Sequence, residues 1–359
     1  MKQVQERGYD AAVFFNEVIR QNPSNTIYVL PPALGDEHQT FVMDSNGDTT
    51  LVMPHWGAKS VRDSGEYNEV IAIKQEKGHH VKGTLEALKK YNKDKVCFDV
   101  STISAQMWSR MASELGIPAN VDRDISDIVF KARSIKDEYE ISEICRAISI
   151  TEAAFHMLIE ETHPGRSVQH MKRELDANMI ELGAYEFSFD SSIAFVKQNK
   201  SEYLKHGDAI SLDVGVRVET GYCSDMGRNW PVTWEDATGD YMDRAVQAQI
   251  DGINGIKPGM TGNQVLDYAN KVNRELGFTE MVRTGHQVGL DVHDYTMPYA
   301  TSFGPIETDN QPLKPGMTLT YEPQRLDPKT GYKGHIEDII LITETGAKCL
   351  NQMPYKVTW

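Results

Sequence analysis

The sequence predicts two domains of different fold class: an α/β domain over residues 1–130 and an α+β domain over residues 131–359. Three observations support this division. The length, 359 residues, suits two domains of roughly 150 residues each. The first third of the chain alternates short apolar runs with helical stretches, and the rest carries an internal duplication.

The apolar runs of the first domain have the length of strands, and the stretches between them have helical periodicity. The predicted strands are residues 11–15, 26–30, 50–53, 70–73 and 96–100, and the predicted helices are residues 81–91 and 105–115. This alternation is typical of a small α/β domain. The second domain begins near residue 131, where an acidic pair, Asp137-Glu138, precedes a helical pattern that starts at Ile141.

Composition excludes several classes of function. The chain has 37 Lys and Arg against 52 Asp and Glu, a formal net charge of −15, which argues against nucleic acid as a partner. No apolar stretch approaches the roughly 18 residues of a membrane span, and the polar first residues do not resemble a signal peptide. The four cysteines form no CxxC pair, so we expect reduced thiols and a cytoplasmic protein.

The second domain repeats itself. Pro164-Gly165, then fifteen residues, then Glu181-Leu182-Gly183 recurs as Pro258-Gly259, fifteen residues and Glu275-Leu276-Gly277. Each copy predicts a turn followed by a helix that ends at a glycine. Further along, Leu204-Lys205-His206-Gly207 precedes Asp213 by the same spacing that separates Leu313-Lys314-Pro315-Gly316 from Glu322. The domain is therefore predicted to contain two copies of a helical segment plus a β-hairpin.

Four acids lie on or beside the predicted hairpin strands: Asp213 and Asp225 in the first, Glu322 and Glu337 in the second. An approximate two-fold axis would bring them face to face. A carboxylate on an otherwise apolar strand is costly to bury unless a cation meets it. Together with His286, which lies in a glycine-bracketed segment, the acids form an oxygen-rich ligand set for Mn, Fe(II), Co or Zn. The spacing leaves open whether they bind metal or are solvated acids at strand ends.

These residues resemble the ligand motifs of the pita-bread metallopeptidases, which include methionine aminopeptidase, prolidase and Xaa-Pro aminopeptidase. The corresponding segments are Leu212-Asp213-Val214-Gly215, Ser224-Asp225-Met226-Gly227-Arg228, Gly285-His286, Tyr321-Glu322-Pro323 and Ile336-Glu337-Asp338. The resemblance implies a pita-bread catalytic domain with an internal pseudo-two-fold repeat. It also implies two divalent metal ions, with manganese favoured. Asp225 and Glu337 would bridge the ions, Asp213 would bind one, and His286 and Glu322 the other.

The segment Gly289-Leu290-Asp291-Val292-His293-Asp294 is most similar to the Xaa-Pro aminopeptidase branch. The first domain resembles, more weakly, the creatinase-type N-terminal domain of prolidase and Xaa-Pro aminopeptidase. The resemblance therefore implies an Xaa-Pro aminopeptidase or dipeptidase that uses a metal-bridging water and forms a homodimer. Glu322 would transfer the proton of the water, and His293 would assist at the scissile carbonyl and bind substrate.

Several positions on the substrate side depart from the family. Val282 and His335 stand where the family has a histidine and an arginine, and residues 192–205 lack a further histidine before His206. Two alternatives to a peptidase stay open: a metal-dependent hydrolase or lyase of a non-peptide compound, and a catalytically inactive module that binds proteins. The aromatic residues expected near the substrate are Tyr295, above all, with Tyr299, Phe189 and Trp230, each of which could equally be a core or surface residue.

Overall fold

The computed structural model describes residues 1–16, 28–29, 39–74, 79–101, 103–197, 201–233, 236–294 and 311–355. Contacts between Cα atoms divide the chain into two compact units, Met1–Arg133 and Ser134–Trp359. This division falls three residues after the boundary that the sequence predicts. None of the helices in the described part of the chain is both long enough and apolar enough to cross a membrane.

The first unit is a five-stranded mixed sheet with helices. Its strands are β1 (Ala11–Asn16), β2 (Gln39–Asp44), β3 (Thr49–Pro54), β4 (Glu69–Ile73) and β5 (Val96–Phe98), in the order β4-β3-β2-β1-β5. Its helices are α1 (Lys2–Glu6), α2 (His55–Ser64), α3 (His79–Leu88), α4 (Ala105–Leu115) and α5 (Ser126–Ser134). The pairs β1–β5 and β3–β4 are parallel, and the other two are antiparallel.

Strand β1 is buried on both faces because its alternate residues point into two different cores. Val13 and Phe15 pack with Trp108 of α4, whereas Ala12 and Phe14 belong to the cluster that includes Val61 of α2. A strand covered on both faces reads as a continuous apolar run. This is why the sequence predicts β1 so readily.

The second unit contains two helix pairs and two hairpins. The helices are α6 (Glu138–Glu160), α7 (Val168–Glu181), α8 (Asp236–Gly255) and α9 (Gly262–Glu275). The strands are β6 (Glu186–Phe187), β7 (Ser192–Phe195), β8 (Ala209–Val214), β9 (Val216–Arg217), β10 (Met226–Pro231), β11 (Thr318–Tyr321), β12 (Gln324–Leu326), β13 (Lys333–His335), β14 (Asp338–Ile342) and β15 (Ala347–Cys349). Strand β8 pairs with β10 and β11 pairs with β14, both antiparallel.

The predicted duplication is visible in individual hydrogen bonds. The Gly165 amide donates to the Leu204 carbonyl at 2.8 Å, and the Gly259 amide donates to the Leu313 carbonyl at the same distance. Three residues after each proline, a hydroxyl group caps the next helix: Ser167 caps α7 and Thr261 caps α9. The two copies therefore share their turn, their helix cap and their connection to the strand that follows.

The two hairpins are joined to each other by backbone hydrogen bonds. The amide of Glu337 donates to the carbonyl of Gly227 at 3.0 Å, and the amide of Gly227 donates back at 3.3 Å. This isolated antiparallel bridge joins the starts of β14 and β10. The pseudo-two-fold arrangement that the sequence predicts is thus confirmed, and it places the acid-bearing ends of the hairpins beside one another.

Three predicted strands are helical or interrupted in the structure. Of the predicted strand over residues 26–30 only Tyr28 and Val29 are described, and both are helical. The hairpin strands are predicted as continuous over residues 209–218 and 317–325, but they break after Val214 and Tyr321. Pro323 explains the second break because it has no amide hydrogen to donate to the ladder.

Helix α8 lies against β11 at Gly252, which is buried. A Cβ atom at this position would overlap the ring and hydroxyl of Tyr321. We therefore expect Gly252→Ala to lower the free energy of unfolding by about 1–3 kcal/mol through overpacking, measured by urea unfolding of the metal-free protein.

The control for this substitution is Gly57→Ala in α2, where the added Cβ would meet only the flexible end of Met53, at 2.8 Å. Alanine has the higher helix propensity, so this variant should be neutral or stabilised by up to about 1 kcal/mol. Equal destabilisation of the two variants would show that the contact with Tyr321 is not the cause.

Candidate metal centre

The two hairpins position the four predicted acids at equivalent places. Asp213 is the fifth of the six residues of β8, and Glu322 directly follows β11. Asp225 directly precedes β10, and Glu337 directly precedes β14. Since the hairpins are joined at Gly227 and Glu337, the segments that carry the four acids lie side by side.

His286 comes from a segment that runs antiparallel beside β11, where Gln287 forms a bridge with Leu319. In the first copy, β7 lies beside β8 in the same way. The register of the two copies places Ala194 where the second copy has His286. The duplicated scaffold thus provides two similar carboxylate hairpins, but the residue of the first copy that is equivalent to His286 is an alanine.

The side chains approach one another closely. His286 Nε2 lies 3.4 Å from Asp225 Oδ2 and 3.3 Å from Glu322 Oε1. Ligand atoms of Asp225, His286 and Glu337 all lie within 4.8 Å of one another, and these three residues are buried. Asp213 and Glu322 are half-buried. The structure thus brings Asp225, His286, Glu322 and Glu337 together, and Asp213 interacts electrostatically with Asp225 and Glu322.

Burial and mutual repulsion make these carboxylates hard to ionise in the absence of a cation. Burial, together with Asp225 and Glu322, raises the pKa of Asp213 from 3.8 to about 7, against an opposing effect of His286. Burial and the neighbouring acids raise the pKa of Glu337 well above its usual range. Burial also raises the pKa of Glu322, although His286 opposes the shift. The cluster therefore favours a positive charge at its centre.

His286 is oriented for binding through Nε2. Its Nδ1 lies 3.0 Å from the carbonyl oxygen of Gln287, which can only accept, so Nδ1 carries the hydrogen. The backbone amide of His286 donates to Thr320 Oγ1 at 3.0 Å, and this hydroxyl lies 3.4 Å from Glu322 Oε1. Burial alone would lower the pKa of His286, but the hydrogen bond with Asp225 and the nearby negative charges raise it.

The residues present suit a divalent metal ion. Asp225 Oδ1 is buried without a hydrogen-bond partner among the described residues. Four carboxylates and one imidazole whose other nitrogen donates to a carbonyl form a donor set typical of Mn, Fe, Co or Zn. Arg283 is the nearby cation that sequence reasoning missed: its Nη2 lies 3.8 Å from Glu322 Oε1, with 44% of the side chain exposed.

The arginines nearest to the acids in sequence point elsewhere. Arg217 lies 3.3 Å from Glu186, Arg228 lies 2.7 Å from Asp338, and Arg325 donates to Gln249 at 2.9 Å. Asp338 also accepts from Gln249 at 2.8 Å and from Tyr355 at 2.9 Å. This buried network fixes the residue directly after Glu337 without neutralising Glu337 itself.

His293 lies beside the cluster, with its ring centroid 4.1 Å from that of His286. Although the residue is exposed, desolvation within the site and the neighbouring His286 lower the pKa of His293 to about 4. The ring is thus neutral at pH 7 and can donate a hydrogen bond to a bound group.

The aromatic residues predicted near the substrate have different outcomes. Tyr295 and Tyr299 lie outside the described residues. Trp230 is buried and packs edge-on against Phe155 at 6.2 Å, so it is a core residue. Phe189 is half-buried, and its ring lies close to Gly215 at the end of β8.

The chain is similar to known peptidases in sequence and in structure. The model of metallopeptidase family M24 matches residues 142–344. An uncharacterized peptidase of Staphylococcus saprophyticus is 28% identical over 340 residues, covering 90% of this chain and 91% of that protein. The Xaa-Pro dipeptidase of Pyrococcus furiosus is 29% identical over 240 residues, which cover 64% of this chain and 66% of that protein. The crystal structure of an X-Pro aminopeptidase from Thermotoga maritima matches with a TM-score of 0.81 at 22% identity, covering 99% of both chains.

The raised pKa of Asp213 predicts how stability depends on pH in the metal-free protein. Between pH 3.8 and about pH 7, the carboxyl group of Asp213 is protonated in the folded protein but ionised in the unfolded protein. Its contribution to stability therefore falls as pH rises through this range and is constant above it. Asp213→Asn removes this contribution.

We expect the melting temperature of EDTA-treated Asp213→Asn to exceed that of the EDTA-treated parent protein by a margin that widens from pH 5 to pH 7 and then stays level. The matched control is Asp208→Asn, which lies before the same strand; a margin of the same size and pH dependence in this variant would show that the effect is not specific to Asp213. A margin that narrows as pH rises would contradict the assignment.

Proposed function

Since the chain belongs to metallopeptidase family M24, we propose that it is an Xaa-Pro aminopeptidase or dipeptidase with two divalent metal ions in the described cluster. As a metallopeptidase it uses divalent metal ions and acts on small peptides. The observation that carries the proposal is the convergence of four carboxylates from two joined hairpins with His286 from the segment beside β11. The carboxylates are those of Asp213, Asp225, Glu322 and Glu337.

We assign the ligands as the family resemblance implies. Asp225 and Glu337 would be shared between two ions, Asp213 would hold one, and His286 and Glu322 would hold the other. The close approach of Asp225, Glu337 and His286 supports this assignment, and the half-buried positions of Asp213 and Glu322 on either side are compatible with it. When bound, two such ions activate a water for attack and stabilise the negative charge that develops on the substrate carbonyl. Manganese is the favoured metal.

Glu322 is proposed as the general base and acid. Its raised pKa brings the carboxyl closer to the operating pH, where a group can both accept and return a proton. Thr320 and His286 hold Oε1 at 3.4 Å and 3.3 Å. A carboxylate so oriented can take a proton from the attacking water and deliver it to the leaving nitrogen of the peptide.

His293 is proposed to bind the scissile carbonyl. Its pKa of about 4 leaves the ring neutral, so it donates a hydrogen bond without adding a positive charge beside His286. A donor that strengthens as the oxygen becomes negative lowers the barrier more than it tightens substrate binding. His293 therefore acts as an oxyanion donor rather than as a base.

The Xaa-Pro class is supported by one relative in sequence and by one in structure. The Pyrococcus furiosus relative is named an Xaa-Pro dipeptidase, and the Thermotoga maritima structure, named an X-Pro aminopeptidase, matches this chain over both units. Val282, in place of a family histidine, is 76% exposed. The homodimer, the cytoplasmic location and the contact of Tyr295 with substrate stay predictions.

Removing the metal tests the proposal directly. We expect EDTA to abolish release of the N-terminal residue from Xaa-Pro dipeptides and tripeptides, and Mn or Co to restore it. Asp225→Asn, which removes a central carboxylate, should bind less metal and lose at least about 100-fold in kcat because the base and the ions act as one unit. The proposal would be contradicted if metal-loaded protein cleaved none of these Xaa-Pro peptides but turned over a non-peptide amide or thioether.

The role of His293 is tested by replacing it. We expect His293→Ala to lower kcat by about 100- to 1,000-fold, as loss of an oxyanion donor does, with little change in KM and none in bound metal. His170→Ala is the matched control because His170 is exposed on α7 and pairs with Glu174 at 3.0 Å. A rise in KM at unchanged kcat would assign His293 to ground-state binding instead.

A further inference from the structure

A buried ion pair lies next to the loop that carries His293. Lys136 Nζ is 2.8 Å from Asp294 Oδ2, and only 1% and 2% of the two side chains are exposed. The two residues are 158 positions apart in sequence. A buried pair is weak evidence for stability as such, because desolvation offsets much of the attraction, so its location is the more informative property.

Asp294 closes the loop of residues 287–294. Its backbone amide donates to the carbonyl of Gln287 at 2.8 Å, and inside the loop the amide of Gly289 donates to the carbonyl of Asp291 at 3.0 Å. Gln287 is itself held beside β11 through its bridge with Leu319. His293 is therefore the residue directly before the point at which the loop is fastened.

The loop backbone wraps closely around the ion pair. A Cβ atom at Gly289 would overlap Asp294 Oδ2 and come within 3.0 Å of Lys136 Cε. The carbonyl of Gly289 also accepts from the amide of Cys223 at 2.7 Å, two residues before Asp225. The same loop thus contacts the ion pair on one side and the first hairpin of the metal centre on the other.

Lys136 is itself firmly placed. Its backbone amide donates to the carbonyl of Gly316 at 2.9 Å. The next residue, Asp137, caps helix α6 in a reciprocal arrangement with Glu140. Lys136 therefore presents its ammonium group from a fixed point at the start of a 23-residue helix.

We propose that Lys136 and Asp294 are positioning residues that hold His293 at the reaction centre. The inference rests on the proposed function, since it assumes that His293 acts on the substrate carbonyl. A catalytic group must be held to within a fraction of an ångström, and a displacement of about 1 Å can cost about 100-fold in rate. The ion pair supplies that constraint at the residue next to His293.

The first variant is Asp294→Asn, which keeps the shape of the side chain and removes its charge. We expect kcat to fall by about 10- to 100-fold, with KM and metal content close to those of the parent protein. Asp327→Asn is the matched control, since Asp327 is 1% exposed, pairs with Arg244 at 2.5 Å and lies on the second hairpin. Lys136→Met/Asp294→Asn removes both charges, so it should regain melting temperature but not kcat.

A double-mutant cycle separates positioning from general stability. If Asp294 acts through His293, adding Asp294→Asn to His293→Ala should slow the enzyme by less than 2-fold. The same factor in both backgrounds, or full activity of Asp294→Asn, would overturn the proposal. So would an equal loss of kcat in Asp327→Asn.

Hydrogen exchange gives a readout that does not depend on activity. We expect Asp294→Asn to speed amide exchange in residues 287–294 by at least 10-fold, and Asp327→Asn to leave this segment unchanged. If the parent protein cleaves no Xaa-Pro peptide but the exchange result holds, the proposed function fails while the constraint on the loop stands. If the parent protein is active but Asp294→Asn does not change amide exchange in residues 287–294, the positioning role is overturned and the proposed function stands.

Discussion

The rest of the catalytic unit depends on holding several carboxylates in one partly buried place. Asp213, Asp225, Glu322 and Glu337 repel one another, and burial makes each charge more costly, as the raised pKa values of Asp213 and Glu337 show. Mutual repulsion would separate these carboxylates if nothing else held them in place. The hairpins must impose the cluster, and a bound cation must then stabilise it.

The fold imposes the cluster through backbone rather than side-chain contacts. The reciprocal bonds between Gly227 and Glu337 fix the two hairpins to each other. Around them, Arg228 donates to Asp338 at 2.7 Å and Gln249 donates to Asp338 at 2.8 Å, so both side chains hold the residue that follows Glu337. Asp338 is thereby held by Arg228, Gln249 and Tyr355, and it is not among the four carboxylates that we propose as metal ligands.

Much of this was predictable because the pattern is local. Strand β1 reads as an apolar run, α4 has the predicted bounds Ala105–Leu115, and the repeated Pro-Gly and Lys-x-Gly turns predict the duplication. Strand β2 was missed because its ends are polar. Thr40 is satisfied at 2.8 Å by Thr84, 44 residues away, and Asp44 accepts from two turn amides. The sequence pattern around a residue does not show hydrogen-bond partners that are distant in sequence and come close only in the folded protein.

The sequence alone determined the candidate donor set of the proposed metal centre, the order of its four acids on two hairpins and the duplication that pairs them, since these follow from residue type and short-range spacing. Only the tertiary structure decided which charges meet. It turned Arg217, Arg228 and Arg325 away from the acids, brought Arg283 to Glu322, and joined Lys136 to Asp294. The physical reason is that Coulomb energy depends on distance and on burial, and neither is written in the spacing of residues along the chain.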